Sequence, residues 1–278
     1  MSNHLLTIDM NSADAPKQFV KSLSSTGFAV IYNHGLDIDL IEKTYSDWRK
    51  FFTMKNKNNY LFDYEKQDGY FPFKSENALG SESKDLKEFF HIYSWGRYPD
   101  EISAHTKSMR YQLLNLGSEL LDWLDDYAPQ RVRKNFSMKL SEMIKDSGQN
   151  LLRIIHYPPV KDKDSDKGAI RAEAHTDINL ITILIAEPGL QVLTQDKKWI
   201  DVKLKKNSIV VNIGDMLQEC SKGFYKSTVH RVVNPIASKN ISRYSMPLFI
   251  HPRNEVILSD KLTAEDYLNA RLKEIGLK

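Results

Sequence analysis

The chain has 278 residues, 41% of them hydrophobic, which is ample for a substantial core in one large domain or two small ones. Thirty-nine Lys and Arg against 36 Asp and Glu leave a formal charge of +3, so there is no electrostatic case for nucleic acid as the partner. A single cysteine, Cys220, excludes an intrachain disulfide, no run approaches the roughly 18 apolar residues of a membrane span, and the amino terminus lacks a basic stretch followed by an apolar one, so a soluble cytoplasmic protein is the expectation.

In chain order, Ala15 to Ser24 predicts a helix with Pro16 in its first turn and Phe19, Val20 and Leu23 on one side. Gly27 to Tyr32 reads as a strand closed by Asn33-His34-Gly35, where His34 is better explained as a turn residue than as a metal ligand. Asp37 or Asp39 can cap a following helix whose Ile41, Tyr45, Trp48 and Phe52 form an aromatic core stripe. From Asn56 to Ser83 periodicity is lost and Gly, Pro, Asn and Ser accumulate, predicting irregular coverage with short strands.

Met109, Leu113, Leu116, Leu120 and Trp123 step by four and three, the pattern of an amphipathic helix of about twenty residues. Phe136, Leu140 and Ile144 predict a further helix ending near Gly148. Leu151 to Tyr157 reads as a strand with Arg153, Ile155 and Tyr157 on one face. The segment Lys161 to Gly168 mixes both charge signs without an apolar residue and reads as a solvated loop, as do Lys203, Lys205 and Lys206.

His175 and Asp177 head a β-branched run, Ile178 to Ile185, that predicts a strand. Residues i and i+2 on a strand share a face roughly 6.6 Å apart, whereas on a helix they diverge by about 200°. A second run, Ser208 to Ile213, ends at Gly214-Asp215, which is hairpin-turn chemistry, and Thr228 to Val233 is another strand carrying His230. Two imidazoles and a carboxylate form the facial set that suits non-haem Fe(II), although the same ligands also bind catalytic zinc. Arg243 and Ser245 lie i and i+2 on a strand that continues through Phe249, and a guanidinium fork with a neighbouring hydroxyl can hold a carboxylate. Thr263 caps a helix expected from Ala264 to about Ile275. No repeat or long flexible linker divides the chain.

His175-Thr176-Asp177, Gly189-Leu190-Gln191-Val192, Trp199-Ile200-Asp201-Val202, Val211-Asn212-Ile213-Gly214-Asp215, Ser221 to Ser227, His230-Arg231-Val232 and Arg243-Tyr244-Ser245 occur together in this order. In them the chain resembles the 2-oxoglutarate- and Fe(II)-dependent oxygenases, in their isopenicillin N synthase-like branch. Gly27 to Gly35, Gly69-Tyr70-Phe71-Pro72 and Asp85 to His91 extend the likeness over nearly the whole length.

The resemblance implies a mainly β fold with flanking helices, built on a double-stranded β-helix, or jelly-roll, core at 150–255. Residues 1–149 would be a supporting region of the same unit, and 256–278 would carry a C-terminal helix. It implies that His175, Asp177 and His230 hold Fe(II), that Arg243, Ser245 and Tyr157 hold 2-oxoglutarate, and that O₂ is consumed with release of succinate and CO₂. Hydroxylation of a C–H bond is the commonest outcome. Tyr70, Phe73, His91, Tyr93, Arg153 and Phe249 are the expected substrate wall. Ile155 departs from the Asn often found two residues before the tyrosine. Two other readings stay open: an Fe(II)/O₂ oxidase of the same branch that does not use 2-oxoglutarate, and a non-catalytic metal-binding jelly-roll.

Overall fold

The computed structural model describes residues 5–76, 84–161, 169–185, 187–236, 240–274 and 276. Most of the expected solvated loop at Lys161 to Gly168, and the expected helix end at Ile275, lie outside the described residues. Among the described residues no helix is long and apolar enough to cross a membrane.

The first elements are β1 (Thr7–Asp9), α1 (Ala15–Thr26), β2 (Phe28–Tyr32), α2 (Ile38–Thr53), β3 (Gly69–Phe71), β4 (Glu88–Ile92) and α3 (His105–Asp126). Asp37 caps α2 by accepting a hydrogen bond from the Leu40 amide at 3.1 Å. The short helix α4 (Gln130–Arg133) precedes the helix expected from Phe136 to near Gly148, of which only α5 (Leu140–Ile144) is formed. The strands β5 (Leu151–Tyr157), β6 (Ala172–His175), β7 (Ile181–Ile185), β8 (Leu190–Leu193), β9 (Trp199–Asp201) and β10 (Ile209–Ile213) follow. After the short helix α6 (Asp215–Cys220) come β11 (His230–Val232), β12 (Arg243–Ile250), the pair β13 (Ile257–Ser259) and β14 (Leu262–Thr263), and α7 (Ala264–Glu274).

Two sheets face each other, as in a jelly-roll. The major one runs β1-β2-β10-β7-β12-β5-β4-β3 and the minor one β6-β11-β8-β9. Every pairing in them is antiparallel except β1 with β2. Four strands of the major sheet, β1 to β4, precede residue 149, so the sheet is not confined to 150–255. The segment Asp85 to His91 is therefore in part a paired strand of the sheet, hydrogen-bonded to β5, and not only a covering loop.

Strand alternation sorts the side chains. Phe28, Val30, Phe71, Phe89, Ile155, Tyr157 and Val210 point between the sheets and pack with Val192 and Val232 of the minor one. The opposite face of the major sheet packs on the helices, where Trp48, Met109, Leu113, Ile154, Ile183, Leu248 and Ile250 belong to one continuous core. α3 approaches this face so closely that a Cβ on Gly117 would lie 2.1 Å from Ile250 Cδ1.

Glu88 ties the outward face of β4 to the helices. Its carboxylate accepts from His156 Nδ1 at 2.7 Å, from Lys57 Nζ at 2.8 Å and from the Tyr70 hydroxyl. Burial alone would raise its pKa, but the hydrogen bonds from His156, Lys57 and Tyr70 outweigh it and hold the group below its ordinary 4.5. The stabilisation is therefore present above about pH 4.5 and is lost as pH falls through the depressed folded value. We expect Glu88→Gln to lower stability in urea at pH 7 by about 1.5–3 kcal/mol, with the gap to the parent closing in acid.

Candidate active site

The register of the minor sheet places His230 directly opposite His175, with ring centroids 4.4 Å apart. Each imidazole is fixed from behind. His175 Nδ1 donates to the Glu173 carbonyl at 2.6 Å and His230 Nδ1 to the Thr228 carbonyl at 3.1 Å. Carbonyls only accept, so both Nδ1 atoms carry the proton and both Nε2 lone pairs face forward. β6 ends at His175, and Asp177 sits past the strand end, where its carbonyl accepts from the Asp215 amide. The expected strand from Ile178 is formed only over Ile181–Ile185. The i, i+2 pair therefore converges across a bend, with Asp177 Oδ1 at 3.8 Å from each Nε2.

Asp177 Oδ2 is satisfied by the major sheet: it accepts from Thr182 Oγ1 of β7 at 2.6 Å and Asn212 Nδ2 of β10 at 2.7 Å. One oxygen is anchored and the other points to the imidazoles. Burial would raise the pKa of Asp177, but the two histidines and these hydrogen bonds keep it below its ordinary value. Desolvation, helped by neighbouring His230, pushes His175 down to about 4. The three donor atoms lie within 4.8 Å of one another, the one such group among the described residues that could hold a metal ion. Gly214-Asp215 opens α6 and not a hairpin, and the Gly214 backbone lies so close to Asn179 that a Cβ there would be 2.0 Å from its carbonyl oxygen.

His175 and Asp177 border a cavity of about 590 Å³, a volume suited to a small organic molecule. Inward-facing Arg243 is 2% exposed. Its Nε donates to the Pro188 carbonyl at 3.1 Å and its Nη2 to the Glu187 carbonyl at 2.8 Å. Its guanidinium lies 4.8 Å from the Tyr157 ring centroid, across the β12–β5 pair. Nη1 is buried without a hydrogen-bond partner among the described residues, so this site has a charged donor to spare. Ser245 shares that inward face opposite Ile155. Arg243, Ser245 and Tyr157 are all buried and are not among the residues that line the cavity.

Residues 148–252 match the family model of the 2OG-Fe(II) oxygenase superfamily, and residues 5–112 match that of the non-haem dioxygenase in morphine synthesis N-terminal region. A structure from Shewanella oneidensis, described as an oxygenase, is similar at 46% identity and a TM-score of 0.88, covering 99% of both chains. The chain belongs to the 2OG-Fe(II) oxygenase superfamily. The flavonol synthase/flavanone 3-hydroxylase of Matthiola incana is 26% identical to this oxygenase over 279 residues, 93% of this chain and 90% of its own. Neurospora crassa T7H in complex with α-ketoglutarate shares the fold, with a TM-score of 0.80 at 24% identity over 96% of this chain and 95% of its own.

The expected substrate wall divides. His91, Tyr93, Arg153 and Phe249 of the oxygenase line the cavity. Tyr70 does not: Gly69 and Phe71 take the inward positions of β3, leaving Tyr70 outward against Phe51 and Phe52 with its hydroxyl on Glu88. Phe73 does not either; it lies beyond the strand end, 37% exposed under the Lys74 ammonium. The motifs left Glu76, His251 and Arg271 unmarked, yet all three line the cavity, as does Lys87. Lys87 was legible by alternation, two residues before inward Phe89, whereas Arg271 arrives on α7 from far along the chain and gave no local signal.

The donor set fits Fe(II) in ligand type and in the way the non-ligating atoms are tied down. We expect Thr182→Val, which removes one hydrogen bond to Asp177 at constant shape, to weaken Mn(II) binding by about 10–100-fold in calorimetry, without unfolding the protein.

Proposed function

We propose that His175, Asp177 and His230 hold Fe(II), that Arg243 and Ser245, backed by Tyr157, hold the distal carboxylate of 2-oxoglutarate, and that the cavity takes a small organic substrate for C–H hydroxylation. The observation that carries this is the trio of donor atoms within 4.8 Å, each aimed by a second contact on its far side. Bound Fe(II) and 2-oxoglutarate supply the oxidising power with O₂, releasing succinate and CO₂.

The protein's own residues do the rest. Glu173 and Thr228 carbonyls fix the imidazole tautomers, and Thr182 and Asn212 fix the carboxylate. Arg243 keeps one guanidinium edge for a carboxylate because the other donors are occupied by backbone carbonyls. Burial of Arg243 and Ser245 excludes water and strengthens that pairing. The ordered motifs support the isopenicillin N synthase-like branch, and the lone cysteine and balanced charge support a cytoplasmic setting without nucleic acid. The chain is read as one folding unit, with the N-terminal segment as support for the core.

Adding 2-oxoglutarate to the anaerobic Fe(II) protein should give a visible charge-transfer band. Arg243→Met should weaken cosubstrate binding by about 100-fold or more, and Asp177→Ala should abolish substrate-dependent succinate release. A parent protein without the band would instead be an oxidase independent of 2-oxoglutarate. Unchanged affinity in Arg243→Met would remove that residue from the cosubstrate site.

A further inference from the structure

Beside the metal ligands the cavity wall carries a cluster of charged groups, of which the expected substrate wall named only Arg153 and His91 and gave neither a specific partner. Arg153 is held in place on several sides. Its guanidinium lies 4.4 Å from the Phe89 ring centroid and 5.2 Å from that of Phe249. Its Nε donates to His91 Nε2 at 2.8 Å, and His91 Nδ1 donates to the Gln67 carbonyl at 2.7 Å. That second bond fixes the His91 tautomer, so Nε2 is the acceptor, and His91 is a positioning residue for the arginine.

The neighbouring cation, Lys87, is paired at 2.8 Å with Asp85. Asp85 is structural: its other oxygen accepts from the Glu173 amide at 3.0 Å, on the strand that ends in His175. With Lys87 and Asp85 cancelling and His91 neutral, the positive charge of Arg153 is left over. Glu76 fills that deficit. Its Oε2 lies 2.9 Å from Lys87 Nζ and 3.7 Å from Arg153 Nη1. Glu76 is on no strand or helix, and its backbone is tied locally through the Asp85 amide, so its side chain can rotate away without disturbing a sheet.

We propose that Arg153 and Lys87 form an anion subsite for the substrate, that the substrate is a planar or aromatic molecule bearing one carboxylate, and that the Glu76 carboxylate stands in this place until the substrate displaces it. The proposal rests on the oxygenase reading and names its substrate class. A guanidinium immobilised between two rings loses little freedom when it pairs with a carboxylate, and its fork matches two carboxylate oxygens. The aromatic wall of Phe249, Tyr93 and Trp95 suits the remainder of such a molecule.

The test uses the full chain loaded with Mn(II) and saturating 2-oxoglutarate, titrated calorimetrically with phenylacetate and with phenylacetamide. Phenylacetate should bind about tenfold or more tightly than the amide. Arg153→Gln should erase the preference, Arg153→Lys should restore part of it, and Glu76→Gln should tighten phenylacetate by removing its competitor. Equal binding of acid and amide, a preference surviving in Arg153→Gln, or weaker binding in Glu76→Gln would each overturn the proposal. The last result would make Glu76 a fixed counter-ion. The 2-oxoglutarate band of the anaerobic Fe(II) protein should persist in Arg153→Gln, which shows that the variant is folded. Absence of that band from the parent protein would count against the cosubstrate reading, separately from the subsite.

Discussion

Two imidazoles and a carboxylate meet in this protein because of one strand register. Pairing of β11 with β6 puts His230 opposite His175, and the bend after His175 swings Asp177 beside both. The major sheet then seizes the other carboxylate oxygen through Thr182 and Asn212. The candidate metal centre is thus a joint between the two sheets. A slip of one residue in β11 would turn His230 to the opposite face and leave only two donors together.

The same alternation organises everything behind that joint. Inward positions on β5 and β12 bring Tyr157 opposite Arg243 and Ile155 opposite Ser245, so a cation and a hydroxyl are stored in an otherwise apolar interior. A buried guanidinium is costly unless its donors are used. Here the backbone carbonyls of Glu187 and Pro188 use two of them and leave Nη1 over, a cost that a bound carboxylate would offset. The cavity wall follows a different rule. Lys87 sits between the carboxylates of Asp85 and Glu76, and Glu76 also faces Arg153, so these two cations and two anions balance one another.

Much of this was legible in the sequence where the signal is local. The amphipathic steps of α2 and α3, the β-branched runs of β7 and β10, and the capping residues Asp37 and Thr263 all depend on near neighbours. The triad was legible because its residues stand in a familiar order. What failed was local geometry set by distant partners. Asp177 left its strand to reach β7 and β10, and Gly214, pressed against Asn179, stands at the start of a helix and not in a hairpin turn. Tyr70 was misplaced because the start of β3, and hence the parity of its side chains, is fixed by pairing with β4 and not by composition. Arg271 was invisible because only the return of α7 over the cavity gives it a role in the wall.

The claim on which the account stands is that one cation bridges the two sheets. Crystals of the protein grown anaerobically with Fe(II), and measured on either side of the iron absorption edge, test it directly. The account predicts a single strong anomalous peak within bonding distance of His175 Nε2, Asp177 Oδ1 and His230 Nε2. A peak elsewhere, or none between these atoms in protein shown to contain stoichiometric iron, would contradict it.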